Sequence, residues 1–364
     1  MRILMTTDTV GGVWTFTREL ADGLLNSGCA VALVSLGRQP SGEQRAWADN
    51  LTHDWKTSFR YEGLDTPLEW MPQNESAYSG VAPILMKMAR DFQPDLLHSN
   101  QFCFGALPLK VPKIITAHSD VLSWAESCRD GKLEDSAWLR QYLDLVKRGL
   151  AGADCVVAPT RWMLHALARN FLLPESTAVV SNGRTLGATP SAAHKLQAVT
   201  AGRLWDEAKN ISILRKVRSS IPLLVAGEAH DGFDAATGHL TSLGPLSEND
   251  LLTLFRESSI YICTSRYEPF GLAPLEAALC GCAVLANDIA SLREVWSDGA
   301  LYFSGAESLG ELLRDLCDNP EQLRAARIQS FQRAGLFTGQ RMIKGYLQVF
   351  QSALARLEAP AYVA

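Results

Sequence analysis

Residues Cys263–Ala286 read CTSRYEPFGLAPLEAALCGCAVLA, and they set a loop with two carboxylates and a glycine between two short apolar runs. Ser259–Cys263 (SIYIC) predicts a buried parallel strand and Ala283–Ala286 (AVLA) the next one, because unbroken apolar runs of this length suit strands covered on both faces. Between them Pro274 suits the first position of a helix, where its missing N–H would have had no partner, and Gly281 stands where that helix should end. The result is a strand, loop, helix, strand unit. Its loop lies at the carboxyl end of a parallel sheet, the edge at which open α/β sheets bind ligands.

The loop's chemistry follows from that placement. The amides of Phe270, Gly271, Leu272 and Ala273 are expected to point out of the helix start, where free N–H groups and the helix dipole favour an anion such as a diphosphate. Gly271 permits close backbone approach. Glu268 and Glu276 cannot themselves bind a phosphate, so they are expected to accept hydrogen bonds from neutral hydroxyls, Glu268 ahead of the helix and Glu276 in its first turn. A sugar and a ribose supply such hydroxyls, and a nucleotide-sugar spans the distance between them. The plainer reading makes Glu276 a complement to the helix dipole and Glu268 a solvated loop acid.

The whole chain bounds the answer. Its 364 residues exceed one ordinary core and suit two domains. A net charge of −5 argues against a nucleic-acid partner, which would want a basic face. There is no apolar run of about 18 residues to span a membrane. The start MRILMTTD reads as a short strand rather than a signal peptide, so a cytoplasmic location is expected, with peripheral membrane association left open. The eight cysteines are scattered, mostly within apolar runs, as buried thiols of a reducing compartment would be. Cys280 and Cys282 lack a second pair at zinc spacing, so neither a metal nor a cofactor is expected.

In chain order, Met1–Thr6 predicts a strand and Thr9–Val13 (TVGGV) a glycine turn before a helix with Phe16, Leu20 and Leu24 on one face, a Rossmann-type opening without the G-x-G-x-x-G fingerprint. Further strands are predicted at Ala30–Leu36, Leu68–Met71, Pro94–Asn100 and Lys113–Asp120. The last two end in polar residues, His98 and Asn100 on one and His118 and Asp120 on the other, which marks a ligand-binding edge. A lone histidine is commonly structural, and that reading stays open for both. Trp14 and Trp124 either border the same edge, where they could stack on a sugar or aglycone, or belong to the core. A helix over Asp135–Leu150, strands at Asp154–Ala158 and Ala178–Ser181, and a helix from Thr160 complete a first α/β domain. Thr185–His194 (TLGATPSAAH) is the linker. A second domain restarts with strands at Gln197–Ala201, Pro222–Ala226 and near Leu240, and Arg203 and Lys209 follow the first of these. The last helix, Gln340–Leu357, aligns Ile343, Leu347, Phe350, Leu354 and Leu357.

The E-x7-E spacing of Glu268 and Glu276 inside SRYEPFGLAPLEAALCGCAV resembles the signature of the retaining glycosyltransferases of family four. GRLWDEAKN and GPLSENDLLTLF are also similar to that family. The resemblance implies the GT-B fold: α/β, two Rossmann-like domains with a deep interdomain cleft, and a C-terminal helix returning to the first domain. It implies that Gly11 and Gly12 approach the donor phosphates, that His118 lies near sugar and acceptor, that Arg203 and Lys209 hold the donor's diphosphate, and that Leu246 touches the base. The family's usual phenylalanine, serine, tryptophan run before the last helix is replaced here by GLFTGQ.

The expectation is therefore an acceptor-binding domain over residues 1–184, a nucleotide-sugar-binding domain over 195–339 and a crossing helix over 340–364. The expected activity is retaining, metal-independent hexosyl transfer from a nucleotide-sugar, UDP-glucose being representative, to a small-molecule, lipid-linked or glycan hydroxyl. The catalytic residues expected are His118, Glu268, Arg203 and Lys209. Donor contacts are Gly11, Gly12, Arg203, Lys209, Leu246, Glu268, Phe270, Gly271, Leu272 and Glu276, and acceptor-side groups are Trp14, His98, Asn100, Asp120 and Trp124. A nucleotide-sugar 2-epimerase and a non-catalytic nucleotide-sugar binder are the alternatives. A dinucleotide oxidoreductase fits least, lacking its fingerprint.

Overall fold

Parallel strands built from short apolar runs carry the chain in two sets. The computed structural model describes residues 1–187, 194–228 and 240–358. One unit comprises Met1–Ser123, Lys132–Gly183 and the chain from Gly339, and the other comprises Trp124–Gly131 and Arg184–Thr338.

In the first unit the strands are β1 (Arg2–Asp8), β2 (Ala30–Leu36), β3 (Phe59–Gly63), β4 (Leu96–Ser99), β5 (Lys113–Thr116), β6 (Cys155–Ala158) and β7 (Thr177–Val179). They form a seven-stranded sheet in the order β3-β2-β1-β4-β5-β6-β7. The order reverses between β1 and β4, the kind of switch point at whose carboxyl edge open α/β sheets bind ligands. Gly11, at φ 76, turns the chain from β1 into the Gly12–Asn26 helix, whose Phe16, Leu20 and Leu24 are fully buried as their spacing predicts.

The Gly339–Glu358 helix belongs to this unit. It lies so close to the Gly12–Asn26 helix that a Cβ on Gly23 would overlap the Ile343 side chain, and the Tyr346 hydroxyl meets Thr116 Oγ1 at 3.1 Å. Its buried stripe is Met342, Tyr346, Phe350 and Ala353. The predicted stripe shared only Phe350 with it, and Leu357 is 58% exposed. The helix rotates to bury the aromatic Tyr346, which hydropathy alone ranks below leucine.

Two further expectations are corrected here. Leu68–Met71 is a turn, closed by Met71 N donating to Leu68 O at 2.9 Å, and the strand beside β2 is β3. Prolines at 67 and 72 flank the segment and deny it ladder donors. β5 also stops at Thr116, before His118. Elsewhere the Ala137–Ala151 helix lies directly on the 3-10 turn Phe102–Ala106. A Cβ at Gly149 would strike the Phe102 carbonyl and one at Gly105 the Gly149 carbonyl, so this crossing admits only glycine.

The second unit repeats the plan with β8 (Lys195–Ala201), β9 (Leu223–Ala226), β10 (Leu240–Gly244), β11 (Ser258–Cys263), β12 (Ala283–Asn287) and β13 (Leu301–Phe303). The order is β10-β9-β8-β11-β12-β13, the same Rossmann arrangement. Both faces are covered, as the unbroken apolar runs predict. Along β11, Ile260 and Ile262 join one core with Leu285 and Phe303, while Tyr261 and Cys263 join another with Leu275 and Trp296. The linker expectation, Thr185–His194, lies largely outside the described residues. Among the described residues no helix is long and apolar enough to cross a membrane.

Candidate functional site

The second sheet reverses between β8 and β11, and the loops after these strands are stitched together there. Thr264 Oγ1 donates to Lys209 O at 2.6 Å, Arg266 N donates to Ala208 O at 2.8 Å, and Asn210 Nδ2 donates to Thr264 O at 3.3 Å. Asn210 adopts φ 49, a left-handed value that asparagine tolerates well, and so ends the short turn that carries Lys209. This local folding brings two of the predicted site residues together. Lys209 Nζ lies 2.5 Å from Glu268 Oε2, which also accepts from Ser265 Oγ at 3.1 Å.

Arg203, in the same loop, pairs with Asp206 at 2.6 Å. Burial opposes ionisation of Asp206, but the Arg203 charge and hydrogen bond outweigh it and hold the carboxyl below the usual aspartate range. Asp206 Oδ1 also accepts from Ala208 N at 2.9 Å and from Trp124 Nε1 at 3.4 Å. Each expected cation thus meets an acid, Arg203 within its own loop and Lys209 across to the loop after β11. Asp206 and Ser265 carry no sequence signature beyond their nearness to Arg203 and Glu268, and sequence reasoning gave them no role.

The helix that follows β11 is Leu272–Leu279, with Gly271 as its N-cap at φ 90. A Cβ at Gly271 would sit 2.8 Å from Pro274 Cγ and 3.2 Å from Glu268 Cγ, so the turn needs glycine for both space and backbone angle. A glycine cap brings no side-chain oxygen to the first amides, which leaves the dipole's positive end at the loop. The Phe270 side chain turns away into the core, edge-on to Phe337 at 5.4 Å between centroids.

Because the left-handed glycine opens the helix early, Pro274 is its third residue rather than its first, and Glu276 falls in the second turn rather than the first. Glu276 is only 8% exposed. Its Oε1 lies 2.8 Å from Arg184 Nε, and Arg184 Nη2 reaches Glu248 Oε1 at 2.6 Å. Arg184 was not among the expected site residues. Leu246, in the loop ahead of Glu248, is partly exposed.

In the first unit, Asn100 follows β4 and joins three elements. Its Nδ2 donates to Thr6 O at 2.7 Å and to Thr17 Oγ1 at 3.1 Å, which orients the amide so that Oδ1 accepts from His118 Nε2 at 2.8 Å. Burial pushes His118 down to about 3, so the ring is neutral, with Nε2–H as donor and the Nδ1 lone pair as acceptor. Phe16 packs edge-on against that ring at 4.6 Å. Gly11 and Gly12 are exposed at the neighbouring loop.

Three acceptor-side expectations change. His98 is a core histidine, fully buried between Phe16, Tyr346 and Phe350, with Nε2 2.8 Å from Thr116 Oγ1. Trp14 is likewise interior, edge-on to Trp47 at 5.4 Å. Asp120 is buried and Oδ1 accepts from Ser123 N at 2.9 Å, capping the Val121–Arg129 helix. Trp124 belongs to the second unit, where the Arg129 guanidinium lies 4.8 Å from its ring and bonds Glu207. Side-chain direction decided the first three, and the sequence does not encode it locally. The buried thiols are inert by the same logic, with Cys263 pushed up to about 11 by burial.

Comparison with known proteins places this geometry. The description "Glycosyltransferase Family 4" matches residues 10–186 and "Glycosyl transferases group 1" matches residues 209–333. An alpha-maltose-1-phosphate synthase of Mycobacterium tuberculosis is 26% identical over 234 residues, covering 54% of this chain and 58% of that protein, so the match spans less than two thirds of the relative. A sucrose-phosphate synthase from Thermosynechococcus elongatus superposes with a TM-score of 0.75 at 17% identity, over 98% of this chain and 100% of that one. HepE of Anabaena, solved with UDP and glucose, gives 0.74 at 17% identity over 97% and 100%. At such identities the likeness is one of fold, and the fold is GT-B.

His98 also sets a pH dependence. Burial lowers its pKa to about 3 from 6.5, with His118 nearby adding to the effect. Protons therefore bind the unfolded chain first, so the stabilisation is complete above the ordinary histidine pKa and is lost as pH falls toward 3. Lowering the pH from about 7.5 to about 5 is expected to cost about 2 kcal/mol through this group alone. Urea melts of wild type and His98→Gln should show a shallower acid loss in the variant. Identical pH dependence in both would contradict the assignment.

Proposed function

The chain belongs to the family-four glycosyltransferases, and from that premise we propose that it transfers a hexosyl group from a UDP-sugar such as UDP-glucose to a hydroxyl acceptor, with retention and without a metal. The observation that carries the reading is the meeting of Lys209 and Glu268 at 2.5 Å beside the glycine-capped start of the Leu272–Leu279 helix. One sheet edge thus offers cations and free amides for a diphosphate and carboxylates for hydroxyls.

In this reading Arg203, Lys209 and the amides of Gly271 and Leu272 stabilise the leaving diphosphate, where negative charge grows as the glycosidic bond breaks. These groups supply the charge that a metal would otherwise bring. Donor binding exchanges the Lys209–Glu268 and Arg203–Asp206 pairs for phosphate contacts and leaves Glu268 to accept from sugar hydroxyls. Glu276 accepts from the ribose and Leu246 touches the base. The UDP and glucose bound to HepE support a UDP-sugar as donor. The acceptor is a small molecule, a lipid-linked sugar or a glycan, met by the edge of the first unit that carries Gly11, Gly12, Asn100 and His118.

His118 orients substrate rather than removing a proton, because a ring pushed down to about 3 is a weak base near neutrality. Without a base opposite the leaving group, the acceptor attacks from the side of departure, and the leaving phosphate takes its proton. The eight unpaired cysteines support a reducing, cytoplasmic setting for this reading.

Calorimetry with UDP tests the donor assignment. Arg203→Ala and Lys209→Ala should each weaken binding by about 1.5–3 kcal/mol, the worth of a charge-assisted hydrogen bond. Glu276→Gln should also weaken UDP, whereas Glu268→Gln should spare UDP and lower turnover. Unchanged UDP affinity in both cation variants would contradict the reading. The stereochemistry has its own check, the anomeric proton signal of the first product formed. An α-linked donor should give an α-linked product, and a β product would point to a base and inversion. Rearranged sugar released without any acceptor would instead mark an isomerase.

A further inference from the structure

Arg184 enters neither the sequence motifs nor the mechanism above, yet its side chain is only 4% exposed and is held between two acids. Its backbone is fixed first. Arg184 N donates to Phe337 O at 3.1 Å, and the residue forms a parallel bridge with Thr338. From that anchor Nε lies 2.8 Å from Glu276 Oε1 as an ion pair, and Nη2 donates to Glu248 Oε1 at 2.6 Å. Glu276 lies in the helix after Gly271. Glu248 is the first residue of the Glu248–Glu257 helix, which Ser247 caps by accepting from Asp250 N at 3.1 Å, directly after Leu246.

A guanidinium presents nitrogens in a rigid plane, so one arginine can face two carboxylates on different elements at once, which a lysine's single ammonium does poorly. A buried ion pair adds little net stability compared with apolar side chains of the same volume. What it supplies is orientation, because each charge fixes the direction of the other. Here the oriented group is Glu276.

We propose that Arg184 is a positioning residue for ribose recognition, holding the Glu276 carboxylate in place while tying it to the helix start that follows Leu246. Ribose and base are then read by one rigid assembly rather than by two independent loops. The inference rests on the reading of Glu276 as the ribose acceptor, and the test separates the two.

Calorimetry with UDP, GDP and ADP, and with their 2′-deoxy and 3′-deoxy forms, gives a ribose preference as the ratio of dissociation constants. Wild type should bind one of the three diphosphates and prefer the ribose form by about tenfold or more, as a hydrogen bond to a charged group implies. Arg184→Lys and Arg184→Met should reduce that preference to about threefold or less, while affinity for the deoxy form stays within about twofold of wild type, since the phosphate contacts are untouched. A structural role would weaken both forms together. Thermal melts establish folding, and if Arg184→Met does not fold, Arg184→Lys decides. A folded variant that keeps the full preference, or that weakens ribose and deoxy forms equally, overturns the inference. Wild type that binds none of the diphosphates, or that shows no ribose preference, overturns the functional reading beneath it.

Discussion

The second unit depends on charge neutralisation at the carboxyl edge of its sheet. Parallel strands buried on both faces push every polar group to their ends, and the order reversal between β8 and β11 gathers those ends in one place. Carboxylates drawn into such a place must be matched, because an unpaired buried charge costs several kcal/mol. Lys209 matches Glu268, Arg203 matches Asp206 and Arg184 matches Glu276. With Glu248 as the second partner of Arg184, four acids face three cations along this edge, and each is a strong hydrogen-bonding group.

The first unit solves a different problem at its own reversal. Asn100 spends its amide on Thr6 and Thr17 and so turns its carbonyl oxygen to His118. The chain of donors fixes a neutral imidazole in one tautomer, and Phe16 holds the ring's edge. Below this polar layer Tyr346 and Phe350 of the C-terminal helix pack against His98 and Phe16, which seats that helix. The two histidines therefore differ in depth rather than in residue type, His118 at the rim in the loop after β5 and His98 inside on β4.

Much of this was legible in the sequence where the signal is local. Unbroken apolar runs marked β2, β6, β11 and β12 to within a residue or two, and the glycines at 271 and 281 framed the helix between them. Lys209 and Glu268, which the structure brings together, were both singled out from their motifs. What escaped was non-local. The partner of Glu276 lies beyond the linker in sequence, and no spacing rule connects Arg184 to it. Side-chain direction misled for Trp14 and His98, because an aromatic residue beside a sheet edge faces inward or outward according to neighbours that tertiary packing supplies. Leu68–Met71 misled because apolar content outweighed its flanking prolines, and those leave the segment to pack as a turn with Leu68 buried.

The central claim is that the paired cations and acids after β8 and β11 are the donor site, and that binding proceeds by exchange of partners. A crystal structure of the chain with UDP tests it most directly. The account predicts that the diphosphate lies at the start of the Leu272–Leu279 helix, with Lys209 Nζ and the Arg203 guanidinium turned from Glu268 and Asp206 to phosphate oxygens and with Glu276 on the ribose. UDP seated elsewhere, with the Lys209–Glu268 and Arg203–Asp206 pairs intact, would contradict it.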